Sequence, residues 1–120
     1  MHRLTLPLLA LALLALPAGL AAPALAEPSL SIPLGADAEI TAAQYSCDTG
    51  AQFPVQYVNA EPIHLALMQI DGQDRIFVNV MSGSGARYVA GEYEWWTKGD
   101  TATLRNLMQD DDGLTCTSGS

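Results

Sequence analysis

Residues 63–80 read IHLALMQIDGQDRIFVNV, and this stretch decides the fold that the sequence predicts. Two runs rich in Ile, Leu and Val lie on either side of Asp71-Gly72, a dipeptide typical of a two-residue hairpin turn. In the second run, Ile76, Val78 and Val80 share one face of a strand, which the pattern predicts to be the core face. The stretch therefore indicates two antiparallel strands joined by a tight turn.

Similar short strand patterns continue on both sides of this hairpin, with turn signals every eight to twelve residues or so. About seven or eight strands, without a convincing amphipathic helix, predict an antiparallel all-β protein. Closure into a small β-barrel would remove the exposed strand edges, and a chain of this length fills such a barrel with its own side chains. The predicted core comprises Phe53, Val55, Leu65, Leu67, Ile76, Val78, Tyr93 and Leu104.

Residues 1–26 have the features of a cleaved secretory signal peptide. A basic start at Met1-His2-Arg3 precedes an apolar run, and Ala24-Leu25-Ala26 fits a small-x-small cleavage site. The run is too short for a membrane helix, and no cysteine follows it as in a lipoprotein signal. We therefore expect a soluble periplasmic protein without a membrane anchor, in which residues 27–38 form a flexible leader and residues 39–120 form the barrel domain.

The predicted mature chain is strongly acidic. It carries four cations and 13 carboxylates, a net charge of −9. A negative field repels nucleic acid and anionic membranes, and it accelerates encounter with a basic protein. Surplus carboxylates also keep an exported domain soluble, so charge alone leaves both interpretations open.

Two cysteines, Cys47 and Cys116, lie near the start and the end of the predicted barrel domain. In an exported chain they are expected to form a disulfide, which would close the barrel domain into a loop of about 70 residues. Closing such a loop stabilises the folded state by about 4 kcal/mol in the chain-entropy model. A metal or redox role would call for a CxxC motif or nearby histidines, so we expect no metal and no cofactor.

Two polar turns carry the candidate functional residues. The first is Ser82-Gly83-Ser84-Gly85-Ala86-Arg87-Tyr88, and the second is Trp95-Trp96-Thr97-Lys98-Gly99-Asp100. Alternating serine and glycine allow the backbone to adopt positive φ and to project from a sheet. Lys98 is the only lysine of the chain, and a strand end can aim its ammonium group. Taken singly, both features are also ordinary turn chemistry.

Together the two turns resemble those of the bacterial inhibitors of C-type lysozyme, the MliC/PliC family. Tyr45-Ser46-Cys47, Phe53-x-Val55-x-Tyr57 and Cys116 extend the resemblance. It implies a periplasmic β-barrel that inserts a loop into the lysozyme active-site cleft and protects peptidoglycan against host defence. Ser84 would bind one catalytic carboxyl group and Lys98 the other. The lysozyme-contacting residues that the resemblance implies are Ser84, Lys98, Gly83, Gly85, Ala86, Arg87, Tyr88 and Thr97.

The residues argue against an enzyme. His64 is the only histidine beyond the predicted signal peptide, and its strand register indicates a core or rim position. Gly83-Ser84-Gly85 lacks the spacing of a Gly-x-Ser-x-Gly nucleophile elbow. The alternative function is a periplasmic barrel that binds a small ligand or a glycan. The sequence also leaves a homodimer open.

Overall fold

The computed structural model describes residues 7, 10, 12–23 and 26–119. The chain divides into two compact units, Met1–Ser31 and Ile32–Ser120. The described part of the first unit contains no helix or strand, and no described helix is long and apolar enough to cross a bilayer. The basic start and the cleavage-site residues Ala24 and Leu25 lie outside the described residues. The signal peptide and the flexibility of the leader stay predictions.

The second unit is an eight-stranded antiparallel β-barrel. Each strand pairs with the next along the chain, and β8 pairs with β1, so the sheet closes on itself. The predicted all-β barrel of seven or eight strands is confirmed. The strands are β1 (Glu39–Cys47), β2 (Gln52–Ala60), β3 (Ile63–Ile70), β4 (Gln73–Val80), β5 (Ala86–Ala90), β6 (Tyr93–Lys98), β7 (Thr101–Asn106) and β8 (Leu114–Ser118).

The hairpin predicted from residues 63–80 is formed by β3 and β4. Asp71 and Gly72 both have positive φ, 52° and 75°. Two consecutive residues of this kind give a turn whose twist matches that of the flanking strands. Ile70 accordingly pairs with Gln73 directly across the turn.

The predicted disulfide lies on the seam that closes the barrel. Cys47 of β1 and Cys116 of β8 are partners in the strand register and are joined through their sulfur atoms. They are separated by 69 positions in sequence. The bond therefore links the first and last strands covalently where hydrogen bonds already join them.

Aromatic rings fill the interior of the barrel. Phe77 and Trp95 are fully buried. The indole Nε1 of Trp95 donates a hydrogen bond of 2.9 Å to the Tyr57 hydroxyl, which is also hydrogen-bonded to the Tyr45 hydroxyl at 2.8 Å. The rings of Tyr45 and Trp95 meet edge to face, with their centroids 4.9 Å apart. This connected cluster satisfies the polar atoms that the aromatic side chains carry inside.

The prediction for the core face of β4 is wrong. Ile76 and Val78 are 54% and 51% exposed, whereas Phe77 between them is fully buried. On the outer face of the sheet, Ile76 and Val78 pair with Leu67 and Leu65. These two leucines are half-buried and lie outside the core cluster, so the prediction is also wrong for them.

Other members of the predicted core lie inside. Val55 and Leu104 are buried. Phe53 and Tyr93 are half-buried and pack against the core cluster.

The two polar turns emerge at the same end of the barrel. Neighbouring strands run in opposite directions, so the β4–β5 and β6–β7 connections share one end. The first connection contains Ser82–Gly85, and the second contains Gly99 and Asp100. The closed sheet thus brings together two segments that are more than ten residues apart in sequence.

Candidate functional site

The segment between β4 and β5 is a compact exposed loop. Ser82 Oγ donates a hydrogen bond to the carbonyl oxygen of Gly85 at 3.1 Å, which closes the loop on itself. Gly85 has a φ of 65°, a left-handed conformation that glycine adopts without strain. Ser84 lies at the exposed part of this loop, between Gly83 and Gly85.

Gly85 is pressed against the end of β6. A Cβ atom added there would lie 2.2 Å from the carbonyl oxygen of Thr97 and 2.8 Å from Cγ of Lys98. Neither distance is possible for a real side chain, so the close approach requires glycine. The loop and the lysine at the end of β6 are therefore in direct contact.

Lys98 is the last residue of β6, and its side chain is exposed. Its Nζ lies 4.8 Å from the ring centroid of Trp96, which is on the same outer face two residues earlier. In the part of the chain that the structure describes, Lys98 makes no ion pair, whereas Arg75, Arg87 and Arg105 all pair with carboxylates. Its positive charge therefore remains available to a partner.

Trp96 also contacts the loop. Its Nε1 donates a hydrogen bond of 2.9 Å to the backbone carbonyl of Ser84. One indole thus touches the backbone of Ser84 and the ammonium group of Lys98. These two contacts of Trp96 were not predicted from the sequence, in which the signal for them is its position two residues before Lys98, on the same strand face.

The remaining predicted site residues divide between the two faces of the sheet. Ala86 pairs with Thr97, whose hydroxyl donates a hydrogen bond to the Ala86 carbonyl at 3.2 Å. Arg87 is on the outer face, where its Nε lies 2.5 Å from Oε2 of Glu94. Tyr88 is 7% exposed and lies inside the barrel, against the Tyr57 ring. The structure thus brings Ser84, Gly85, Thr97 and Lys98 together and separates the Tyr88 ring from them.

A groove of about 200 Å³ runs along the outer face of β6 and β7 beside Lys98. At its base is Glu94, which is 4% exposed and was not identified in the sequence. Its carboxylate holds Arg87 on one side and Arg105, at 3.2 Å, on the other. The groove is lined by Glu94, Trp96, Lys98, Thr101, Thr103, Arg105 and Asp112.

His64 lies at the rim of the barrel and is engaged by neighbouring side chains. Its Nδ1 is 3.1 Å from the side-chain oxygen of Asn59, and its Nε2 is 3.0 Å from a carboxylate oxygen of Glu61. This agrees with the core or rim position that its strand register predicted.

This geometry supports recognition through two exposed polar groups. The Ser84 hydroxyl can donate or accept a hydrogen bond, and the Lys98 ammonium can only donate. A pair of this kind suits a partner site that presents two neighbouring acceptors, of which at least one is anionic.

Comparison with known families identifies a match over most of the barrel. The family model described as "MliC: Membrane-bound lysozyme-inhibitor of c-type lysozyme" matches residues 45–113, more than half of the chain. The matched range includes both polar turns and Cys47, and it ends before Cys116.

Two curated relatives bear the name membrane-bound lysozyme inhibitor of C-type lysozyme. The protein from Cupriavidus necator is 46% identical over 71 residues, which is 59% of this chain and 57% of the relative. The protein from Pseudomonas aeruginosa is 43% identical over 76 residues, which is 62% of this chain and 60% of the relative. The chain thus spans less than two thirds of the length of either relative.

Two solved structures have the same fold. The crystal structure of Pseudomonas aeruginosa MliC in complex with hen egg white lysozyme is 38% identical with a TM-score of 0.67, covering 78% of this chain and 97% of that chain. The periplasmic lysozyme inhibitor of C-type lysozyme from Salmonella typhimurium is 27% identical with a TM-score of 0.57. That match covers 68% of this chain and 99% of the Salmonella protein.

Proposed function

The chain belongs to the MliC family of lysozyme inhibitors, and we propose that it inhibits a C-type lysozyme by inserting Ser84 and Lys98 into the active-site cleft. In this proposal the Ser82–Gly85 loop enters the cleft beside the end of β6. The barrel acts in the periplasm, where it protects peptidoglycan from hydrolysis. The partner is the protein class named for the related complex, a C-type lysozyme.

The chemistry of the target supports this pairing. Lysozyme-type retaining glycosidases hold two carboxyl groups about 5 Å apart, one protonated and one ionised at neutral pH. A hydroxyl can bind a carboxyl group in either protonation state, and an ammonium group is attracted to the ionised one. Ser84 and Lys98 supply one group of each kind from neighbouring backbone positions. Occupying both carboxyl groups would exclude the sugar substrate from the cleft.

The observation that carries the proposal is the contact between the loop and the end of β6. Because Gly85 touches Thr97 and Lys98, the two proposed binding groups share one exposed edge of the barrel without any rearrangement. Lys98 makes no ion pair among the described residues, so binding a carboxylate breaks no existing ion pair. Because both binding groups are already positioned before the partner arrives, less conformational entropy is lost on association.

Charge supports the same partner. The predicted mature chain carries −9, so a basic lysozyme would be attracted to it over distances beyond direct contact. Among the described residues, Lys98 is then a positive charge without an ion-pair partner on an acidic molecule. It selects for the carboxylates of the cleft on an otherwise basic partner.

A lysis assay tests the proposal. Turbidity of a bacterial cell-wall suspension is followed with hen egg white lysozyme, with and without the purified protein. We expect the wild type to slow clearing, and Ser84→Ala and Lys98→Met each to weaken inhibition by about 10-fold or more, as central interface contacts do. Ser46→Ala is the matched control, since Ser46 is an exposed serine of β1.

Thermal unfolding accompanies the assay. Lys98→Met keeps the apolar stem over Trp96 and should leave the melting temperature nearly unchanged. A wild type that does not slow clearing would reject the inhibitor function. Full inhibition by both variants would reject the assigned residues and keep the function.

A further inference from the structure

We propose that Trp96 is the positioning residue of the inhibitory edge, holding the Ser82–Gly85 loop and Lys98 in their binding arrangement before a partner arrives. This inference rests on the proposed function, since it concerns the edge that would bind lysozyme. Two contacts of Trp96 support it: the hydrogen bond of 2.9 Å from its Nε1 to the Ser84 carbonyl, and the distance of 4.8 Å from the Lys98 ammonium to the centre of its ring.

The first contact fixes the loop. Ser84 is exposed, and a loop of small residues has little apolar surface with which to order itself. The Trp96 N–H is a donor with no acceptor function, so its bond to the Ser84 carbonyl has one direction and one geometry. Together with the Ser82–Gly85 bond, it ties the exposed loop at two points.

The second contact holds the ammonium group of Lys98 against the Trp96 ring. An ammonium group over an indole face is attracted by the ring without being neutralised. Glu94 holds Arg87 and Arg105, which lie on the strands that flank β6, in ion pairs. Lys98, on the same outer face, contacts an aromatic ring instead, so its ammonium group is free to form an ion pair with a carboxylate of the partner.

The two contacts make the edge a single unit. β-strand geometry places positions 96 and 98 on one face, and the register sets Arg87 opposite Trp96. The indole therefore lies between the base of the loop and the lysine, and its loss would loosen both at once. Loosening a binding loop adds an ordering cost to association, which appears as weaker affinity.

Two substitutions separate the contacts. Trp96→Phe keeps an aromatic face for Lys98 and removes the N–H, and Trp96→Leu removes both. Val89→Ala is the matched control, since Val89 is a half-buried apolar residue on the outer face of β5. Melting temperatures report on the fold of each variant.

Amide hydrogen exchange of residues 83–86 in the free protein is the first readout. We expect exchange in this loop to be faster in Trp96→Phe than in the wild type and in Val89→Ala, because a loop anchor is lost. Unchanged exchange in Trp96→Phe would overturn the positioning role. The result does not depend on any lysozyme.

Binding to hen egg white lysozyme, measured by surface plasmon resonance, is the second readout. Losing one hydrogen bond to a carbonyl predicts about 3- to 10-fold weaker affinity for Trp96→Phe. In Trp96→Leu, the additional loss on Lys98→Met should be smaller than in the wild type, because the lysine is no longer held. Equal affinities for the wild type and Trp96→Phe would overturn the inference.

The two readouts keep the proposals distinguishable. If the wild type does not bind lysozyme, the proposed function fails, and the exchange comparison still decides whether Trp96 fixes the loop. If Trp96→Leu does not fold, the exchange and the affinity measurements on Trp96→Phe still test whether the indole N–H fixes the loop.

Discussion

Gly85 shows at the scale of one residue why the exposed edge has its shape. The loop can lie on the end of β6 only because position 85 has no side chain and adopts a φ of 65°. Its neighbour Gly83 has neither constraint, since a Cβ added there would meet no atom within 4 Å. The structure therefore requires glycine at position 85, whereas position 83 has room for a side chain.

We expect Gly85→Ala to displace the loop from β6. A left-handed backbone costs a non-glycine residue roughly 1–2 kcal/mol, and the collision with the Thr97 carbonyl adds to this. Thermal unfolding should therefore occur at a lower temperature, and lysozyme inhibition should weaken by about 10-fold. Gly83→Ala is the control for stability and should melt like the wild type. An unaltered melting temperature and inhibition constant for Gly85→Ala would contradict the packing described.

At the scale of the strands, the hairpin was predictable and the inward face of β4 was not. Asp71-Gly72 has a backbone preference that acts locally, so its turn could be read from the dipeptide. The face of β4 depends on its neighbour β3, whose two faces are both largely apolar, so periodicity could not select one. The barrel interior takes Phe77 opposite the small Ala66, and leaves Ile76 and Val78 outside.

The candidate site shows the same division. The exposed positions of Ser84 and Lys98 could be predicted from their turns, because glycine-rich loops and strand ends lie at the surface, whereas their binding roles were implied by the family resemblance and stay proposals. The role of Trp96 and the burial of Glu94 could not be predicted, since both follow from the register of β5, β6 and β7. The contacts of Trp96 and Glu94 join residues from different strands and loops, which no single short motif contains.

Glu94 ties three strands together on the outside of the barrel, and Glu94→Gln should destabilise the protein. The substitution keeps the shape of the side chain but leaves Arg87 and Arg105 without a counter-charge. Because both arginines remain partly exposed, we expect a loss of about 1–2 kcal/mol, or roughly 4–16 °C in melting temperature.

Glu92→Gln is the matched control for that measurement. Glu92 binds Arg75 alone at 3.4 Å and is 37% exposed, so its pair should contribute less than about 1 kcal/mol. Equal melting temperatures for the two variants would show that the buried position of Glu94 does not matter.

At the scale of the whole molecule, the tyrosines buried in the barrel interior should make the protein less stable at high pH. Burial raises the pKa of Tyr57 well above its ordinary value near 10, and burial also raises the pKa of Tyr88. Since the unfolded chain releases these protons first, the contribution of the two tyrosines to stability should be constant below about pH 10 and be lost as the pH rises further. Urea unfolding at a series of pH values measures this slope.

Tyr57→Phe is the comparison for the pH series. It should be less stable at neutral pH by about 1 kcal/mol, because the Trp95 indole loses its acceptor. Above pH 10 its stability should fall less steeply than that of the wild type. Parallel curves would show that Tyr57 does not contribute to the pH dependence.

The charge of the molecule predicts how fast it binds. With −9 on the predicted mature chain, the association rate with a basic lysozyme should fall as salt is added from about 0.05 to 0.5 M. The dissociation rate should change much less, because contacts inside the cleft are shielded from solvent ions. An association rate that does not change with ionic strength would show that the net charge does not steer the partner toward the protein.

The most direct measurement is a crystal structure of this protein bound to hen egg white lysozyme. The account predicts that the Ser84 hydroxyl and the Lys98 ammonium each lie within about 3.2 Å of a catalytic carboxyl group, with Trp96 still bonded to the Ser84 carbonyl. A complex in which lysozyme contacts another face of the barrel, with Ser84 and Lys98 in solvent, would contradict it.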